Sequence, residues 1–208
     1  MSRLALIRSF AIAALLGTLP ACTLLPEAES IRVFLLPASE APANQAAGTL
    51  RQALRIHTPH ASRILAGPRI AVMPDGSQIS SYQGARWGDT APTLLRDRLI
   101  EQFRQSGQPT AVSSEESNLF AELELFSDLR AFQSEYVNGK PQVRIRLDAQ
   151  LASAADQRIL ASRRFEILQP SVNPQLESVV EAFGQASDQL SLQLQSWVLQ
   201  VAKSQPVQ

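Results

Sequence analysis

The sequence predicts an α/β (α+β) domain in which a mixed, largely antiparallel sheet carries two amphipathic helices. Three patterns support this. Val143, Ile145, Leu147, Ala149 and Leu151 alternate strictly with polar residues, as one buried face of a strand does. Leu95, Leu99 and Phe103 recur every four residues, and Leu176, Val180, Phe183, Ser187, Leu190, Leu194, Trp197 and Val201 step by four and three. A chain of 208 residues suits one core of ordinary size. Its 19 basic and 19 acidic side chains cancel, without a basic run, which leaves no electrostatic footprint for nucleic acid. One cysteine excludes an intramolecular disulfide, and with two histidines it excludes most zinc or cluster frameworks.

Arg3 and Arg8 open the chain ahead of the apolar run Phe10 to Leu16. The uncharged stretch between Arg8 and Cys22 holds 13 residues, whereas a bilayer-spanning helix needs roughly 20. A positive start, a short apolar core and a small residue before a break predict an export signal over residues 1–21. Leu19-Pro20-Ala21-Cys22 resembles the lipobox of bacterial lipoproteins, although Pro20 stands where a small or β-branched residue is usual. That resemblance implies cleavage before Cys22 and a diacylglycerol on its sulfur; the alternative is a buried structural cysteine. Several acyl chains on one cysteine hold a membrane almost permanently, since each buried methylene contributes about 0.8 kcal/mol. Thr23 rather than aspartate follows, which implies outer-membrane sorting by the Gram-negative pattern. Without residues 1–21 the chain keeps 17 basic and 19 acidic groups, net −2, so lipid and not charge is the expected membrane tie.

Residues 22–30 read as a lipidated tether and 31–204 as one domain. Ile31 to Leu36 is a strand candidate, followed by a Pro/Ala/Ser-rich loop over 37–49. Leu50 to His57 alternates, with Leu50, Leu54 and Ile56 on one face. Arg69 to Met73 is a strand closed by the turn Pro74-Asp75-Gly76, with Gln78 to Gln83 as its partner. Asp89 or Thr90 caps a helix that tolerates Pro92 in its first turn and ends before Gly107 and Pro109. Leu119, Ala121, Leu123, Leu125, Leu129 and Ala131 predict one face of a long strand running into Asn138-Gly139 and the Val143–Leu151 strand. A two-residue turn there would set Val137 against Lys140 and Ala131 against Arg146, with the two apolar faces opposed. The parity therefore predicts a three-residue connection, pairing Ala131 with Leu147 and Leu129 with Ala149, or else a bulge between Phe126 and Phe132. Ile159, Ala161, Phe165 and Ile167 add a third antiparallel strand. Asn173-Pro174 opens the final helix, whose stripe lies across the sheet or serves self-association or partner docking.

Catalytic groupings are not apparent. His57 and His60 flank a proline, and no carboxylate lies within ten residues of them. No nucleophile elbow or glycine-rich phosphate loop occurs. Arg144, Arg146 and Asp148 opposite Glu122, Glu124 and Asp128 read as cross-strand pairs on a solvated face. The reading is of a protein that is not an enzyme and uses no metal or cofactor. Tyr82, Arg86 and Trp87 form a local cluster with two readings: an aromatic core plug with Arg86 stacked over it or bonding loop carbonyls, or a partner-contact patch.

The order of these features carries a family resemblance. After the lipobox come Phe34-Leu35-Leu36-Pro37, Pro68-Arg69-Ile70-Ala71-Val72 and Ile79-Ser80-Ser81-Tyr82. Ala85-Arg86-Trp87 then precedes Pro92 and Leu94-Leu95, ahead of the three-strand meander and a last helix bearing Trp197. This order resembles the ABC-type transport auxiliary lipoprotein family, the PqiC-like lipoproteins, over essentially the whole mature chain. The resemblance implies a fold like the amino-terminal domain of TolB. It also implies a lipid-anchored periplasmic accessory of an ABC transporter and its MCE-type substrate-binding protein, in a system that moves lipids between two membranes. Related members form rings, which makes Tyr82, Arg86, Trp87 and the last helix with Trp197 candidate contacts to a partner or a second copy. A lipid-binding chaperone and an envelope scaffold outside transport are the alternatives.

Overall fold

The computed structural model describes residues 30–38, 50–117 and 119–204. Cys22, the signal and most of the tether lie outside these residues. Nine strands and two helices follow in the order β1 (Arg32–Phe34), β2 (Leu54–Ile56), β3 (His60–Ala61), β4 (Arg69–Asp75), β5 (Gln78–Trp87), α1 (Ala91–Gln105), β6 (Val112–Ser114), β7 (Leu123–Val137), β8 (Lys140–Ser153), β9 (Ile159–Pro170) and α2 (Leu176–Lys203). A short 3-10 turn, Glu115–Ser117, follows β6. All the strands join one curled, mixed sheet. Its long pairings, β7 with β8, β8 with β9 and β4 with β5, are antiparallel. The short ones are parallel: β1 with β5, and β2, β3 and β4 end to end along the other edge of β7. β2 also carries β6 in parallel.

The β7–β8 register resolves the parity conflict through the bulge. Val137 faces Lys140 across a two-residue turn in which Asn138 and Gly139 both have positive φ, 51° and 74°. This is the backbone that a tight hairpin between right-twisted strands requires. The ladder then slips at Arg130, so that Leu129 meets Leu147, Ala131 meets Arg146 and Phe132 meets Ile145. The predicted three-residue connection, with Ala131 on Leu147, is not used. Beyond the bulge the core-facing side chain is Phe132 and not Ala131. β7 also begins later than its apolar stripe: Leu119 precedes the strand and is exposed.

Other boundaries shift for similar local reasons. β5 runs on to Trp87 through a second irregularity, where Arg69 pairs with Arg86 but Ala71 pairs with Ser81. Gly84, with φ 62°, takes up the extra residues there. Thr90 is the α1 cap, its Oγ1 accepting from the Thr93 amide at 3.4 Å, while Asp89 Oδ1 accepts from the Thr90 amide at 2.5 Å. β3 and β6 are unforeseen. Ile159 lies exposed at the β8–β9 turn and leaves Phe165 and Ile167 as the buried residues of β9.

Both helices pack on the same face of the sheet. Val143, Ile145, Leu147, Ala149 and Leu151 of β8 are all buried, as are Leu95, Leu99 and Phe103 of α1. The α2 stripe from Leu176 to Trp197 is buried, with Val201 half-buried at its end. Val179, Ala186 and Val198 are buried with it, which broadens it beyond a coiled-coil seam, and α2 lies across β8 and β9 against α1. Arg98 of α1 and Asp188 of α2 join the helices by a buried ion pair at 2.5 Å, and Arg98 also donates to the carbonyl of Pro37. No helix among the described residues is long and apolar enough to cross a membrane.

Candidate functional site

Tyr82, Arg86 and Trp87 share β5 but not an environment. Trp87 is fully buried, edge-on to Phe183 at 5.2 Å and to Phe132 at 6.2 Å, and those two rings lie 4.9 Å apart. Tyr82 is half-buried and its hydroxyl donates to Ser134 Oγ at 3.2 Å. Burial pushes the Tyr82 phenol up to about 12, so it stays protonated and serves as a strut between β5 and β7. Arg86 is exposed on the outer side of β5. Trp197 is buried against Phe165, ring centroids 5.7 Å apart. The contact patch read from the sequence is corrected accordingly: Trp87 and Trp197 belong to the core, out of reach of a partner. The cations over aromatic rings among the described residues are Arg32 on Phe34 and Arg163 on Phe165, with Arg86 on neither.

The open face of the sheet, opposite the helices, holds a cleft that the sequence did not reveal. His57, Thr58, His60, Phe126, Asp128 and Asp148 line about 240 Å³. The His57–His60 connection is held from both sides. The Thr58 amide donates to Glu115 Oε1 at 3.0 Å, and buried Arg96 of α1 reaches Thr58 Oγ1 at 2.9 Å. The His57 ring stacks on Phe126 with centroids 4.2 Å apart, and its Nε2 stands 3.7 Å from Glu124 Oε1. His60 Nδ1 is 3.2 Å from Asp128 Oδ1. The parallel β2–β7 and β3–β7 pairings bring His57 and His60 to carboxylates 67 and 68 positions away in the chain.

The charges of this face are internally matched. Arg164 grips Asp148 with Nε at 2.5 Å and Nη2 at 2.9 Å, and Arg130 Nε adds a bond at 3.1 Å. Those guanidiniums, Arg164 first, hold the Asp148 carboxyl down at about 2. A carboxylate fixed in its ionised form cannot exchange a proton near neutral pH, so it is unsuited to general acid–base work. Arg144 bridges Glu135 at 2.8 Å and Glu166, and Arg146 shares Glu166 at 2.7 Å. Among the described residues no three His, Cys, Asp or Glu side chains converge to hold a metal ion.

The pattern of sheet, helices and chain order is matched by known proteins. The sequence model of the family described as the ABC-type transport auxiliary lipoprotein component matches residues 34–195. The chain belongs to that family. A crystal structure of protein XCC0632 from Xanthomonas campestris, family-model DUF330, is 31% identical, covers 84% of this chain and 95% of its own, and superposes with a TM-score of 0.70. An uncharacterized protein at 16% identity shares the fold with a TM-score of 0.65, covering 82% of this chain and 99% of its own. The hypothetical protein CT253 from Chlamydia trachomatis, 5% identical, covers 74% and 99% at a TM-score of 0.50. None of the curated proteins matches the chain. The matched region spans β5 with Tyr82, Arg86 and Trp87, the residues of the His57 cleft and most of α2.

Proposed function

We propose that this chain is an outer-membrane lipoprotein, anchored through Cys22 on the periplasmic side, that docks an ABC transporter and its MCE-type substrate-binding protein in a lipid-transport assembly. Membership of the auxiliary lipoprotein family over residues 34–195 carries this reading. The lipobox ending at Cys22 supplies the anchor, and the matched ion pairs of the open face suit a protein that binds other proteins and performs no chemistry on a substrate. A lipid-carrying chaperone would need an open apolar cavity. The space between helices and sheet is instead filled by Trp87, Phe132, Phe183 and Phe165, which favours docking over carrying.

In-cell crosslinking with mass spectrometry tests the reading. Recovery of an MCE protein or a transporter subunit is the expected result. Recovery of Tol or peptidoglycan-bound components in their place overturns it. Cys22→Ala should move the protein from the outer-membrane pellet to the soluble periplasm, and continued pelleting refutes the anchor.

A further inference from the structure

The register of the sheet gathers several exposed apolar side chains at one end of the domain. β1 is parallel to β5, β5 antiparallel to β4, and β4 parallel to β7. β1 therefore runs against β7, and its first residues point to the end where β7 turns into β8. At that end Val137 faces Lys140, and the Ser171 amide donates to the Pro141 carbonyl at 3.0 Å, which sets Val172 beside the turn. Arg32 Nη1 meets Glu177 Oε1 at 2.5 Å, which ties the start of β1 to the first turn of α2 close behind Val172. Val172 is 93% exposed, Ile31 62% and Val137 47%, with Tyr136 and Lys140 beside them.

Chain length says what covers this end. Nine residue steps separate Cys22 from Ile31, and a fully extended chain covers about 3.5 Å per step, ~30 Å in all. Through the same registers Ile31 stands level with about Gln133, four strand residues (about 13 Å) from Val137 but ten (about 33 Å) from Leu123, with the exposed Leu119 and Phe120 beyond that end. We propose that the β7–β8 turn end faces the membrane, with Val137, Val172 and Ile31 entering the boundary between headgroups and acyl chains of the bilayer that holds the Cys22 lipid. The inference rests on lipidation at Cys22. The chemistry of the end suits a lipid surface: Tyr136 is an amphipathic ring of the kind found at headgroup level, and Lys140 offsets the exposed Asp75, which the β4–β7 register sets level with Val137. Glu177 is already neutralised by Arg32. The opposite end, with Leu119 and Phe120, is then turned away from the bilayer toward protein partners.

Photocrosslinking tests the orientation. The full lipidated chain, purified from membranes, is reconstituted in phosphatidylethanolamine–phosphatidylglycerol vesicles with a benzophenone side chain at position 172, 136 or 120. Lipid adducts are then measured by mass. Positions 172 and 136 should give at least about fivefold more adduct than 120, as expected for side chains seated in the interface. Equal or greater adduct at 120 overturns the orientation. Flotation separates the two readings: a chain with Cys22 intact that stays behind the vesicles refutes lipidation, whereas a chain that floats but crosslinks through 120 refutes only the orientation. Adding Val137→Glu and Val172→Glu, both at exposed positions, should preserve the far-UV spectrum while removing most adduct from the probe at 136. Undiminished adduct from that probe also overturns the proposal.

Discussion

The two faces of β8 are built from alternate residues of one strand yet do opposite work. Val143, Ile145, Leu147, Ala149 and Leu151 face the helices and are buried. Arg144, Arg146, Asp148 and Gln150 face solvent, and the three charged ones join ion pairs shared with β7 and β9. The ion pairs differ in the same way. Arg98–Asp188, between the helices, is sealed, while Asp148–Arg164 is wet on one side. Burial decides what each group contributes. Apolar side chains and desolvated charges on the covered side set stability. The same charges on the open side contribute little and are free to set surface recognition.

The sharpest break of this comparison is to swap the faces. Deleting Ser127 leaves the bulge in place and shifts Leu123 and Leu125 onto the open side of β7, since a one-residue slip reverses every side chain. Losing the bulge instead drives Asp128 and Arg130 inward. Either outcome should abolish cooperative urea unfolding. Deleting Arg130 removes only the bulged residue and keeps Leu129 and Phe132 on one face. It should cost about 1 kcal/mol or less, through the lost pairs to Asp128 and Asp148. If the two deletions prove equally damaging, the register assignment is wrong.

Those deletions also locate what could be read from the amino acids alone. The buried face of β8, the α1 stripe and the α2 stripe were legible because each repeats a period over many residues, and all three are buried as their spacing requires, except that Val201 at the end of α2 is half-buried. The conflict of parity between β7 and β8 was legible too, but not which device resolves it. Asn138-Gly139 favoured the tight turn, and the bulge followed. β3 and β6, of two and three residues, carry no period, and their parallel pairing depends on partners far away in the chain. The His57 cleft was hidden for the same reason: its carboxylates arrive only when β2 and β3 dock along β7. Tyr82, Arg86 and Trp87 were picked out by residue type, which cannot tell a ring facing Phe183 from one facing a partner.

A smaller effect is expected from the sealed ion pair. Asp188→Ala leaves the buried Arg98 guanidinium with only the longer, half-exposed contact to Glu101 at 3.6 Å, and removing one partner of a buried pair typically costs about 3–5 kcal/mol. Replacing both partners, Arg98→Met with Asp188→Leu, fills the space without charge and should bring stability back to within about 1 kcal/mol of the parent. Urea denaturation of Asp188→Ala and of the double variant measures this. A double variant as unstable as Asp188→Ala would mean that the other ties of Arg98, to the Pro37 carbonyl and to Glu101, carry the energy instead.

The smallest effect belongs to the open face, and pH exposes it. Arg164, helped by Arg130, lowers the Asp148 carboxyl from 3.8 to about 2. A group whose folded value is depressed stabilises the fold above its unfolded value and loses that contribution as pH falls through the folded one. The contribution is therefore complete above about pH 4 and gone near pH 2. Water reaches a quarter of the Asp148 side chain and more than half of Arg164, so screening limits it to about 1 kcal/mol or less. Asp148→Asn should lower stability by that amount at pH 7 and converge with the parent near pH 2. A gap that widened on acidification would require a group protonated in the fold, the reverse of what Arg130 and Arg164 impose. A gap at neutral pH as large as that of Asp188→Ala would erase the distinction between the two faces, because an ion pair open to water would then weigh as much as one sealed under the helices.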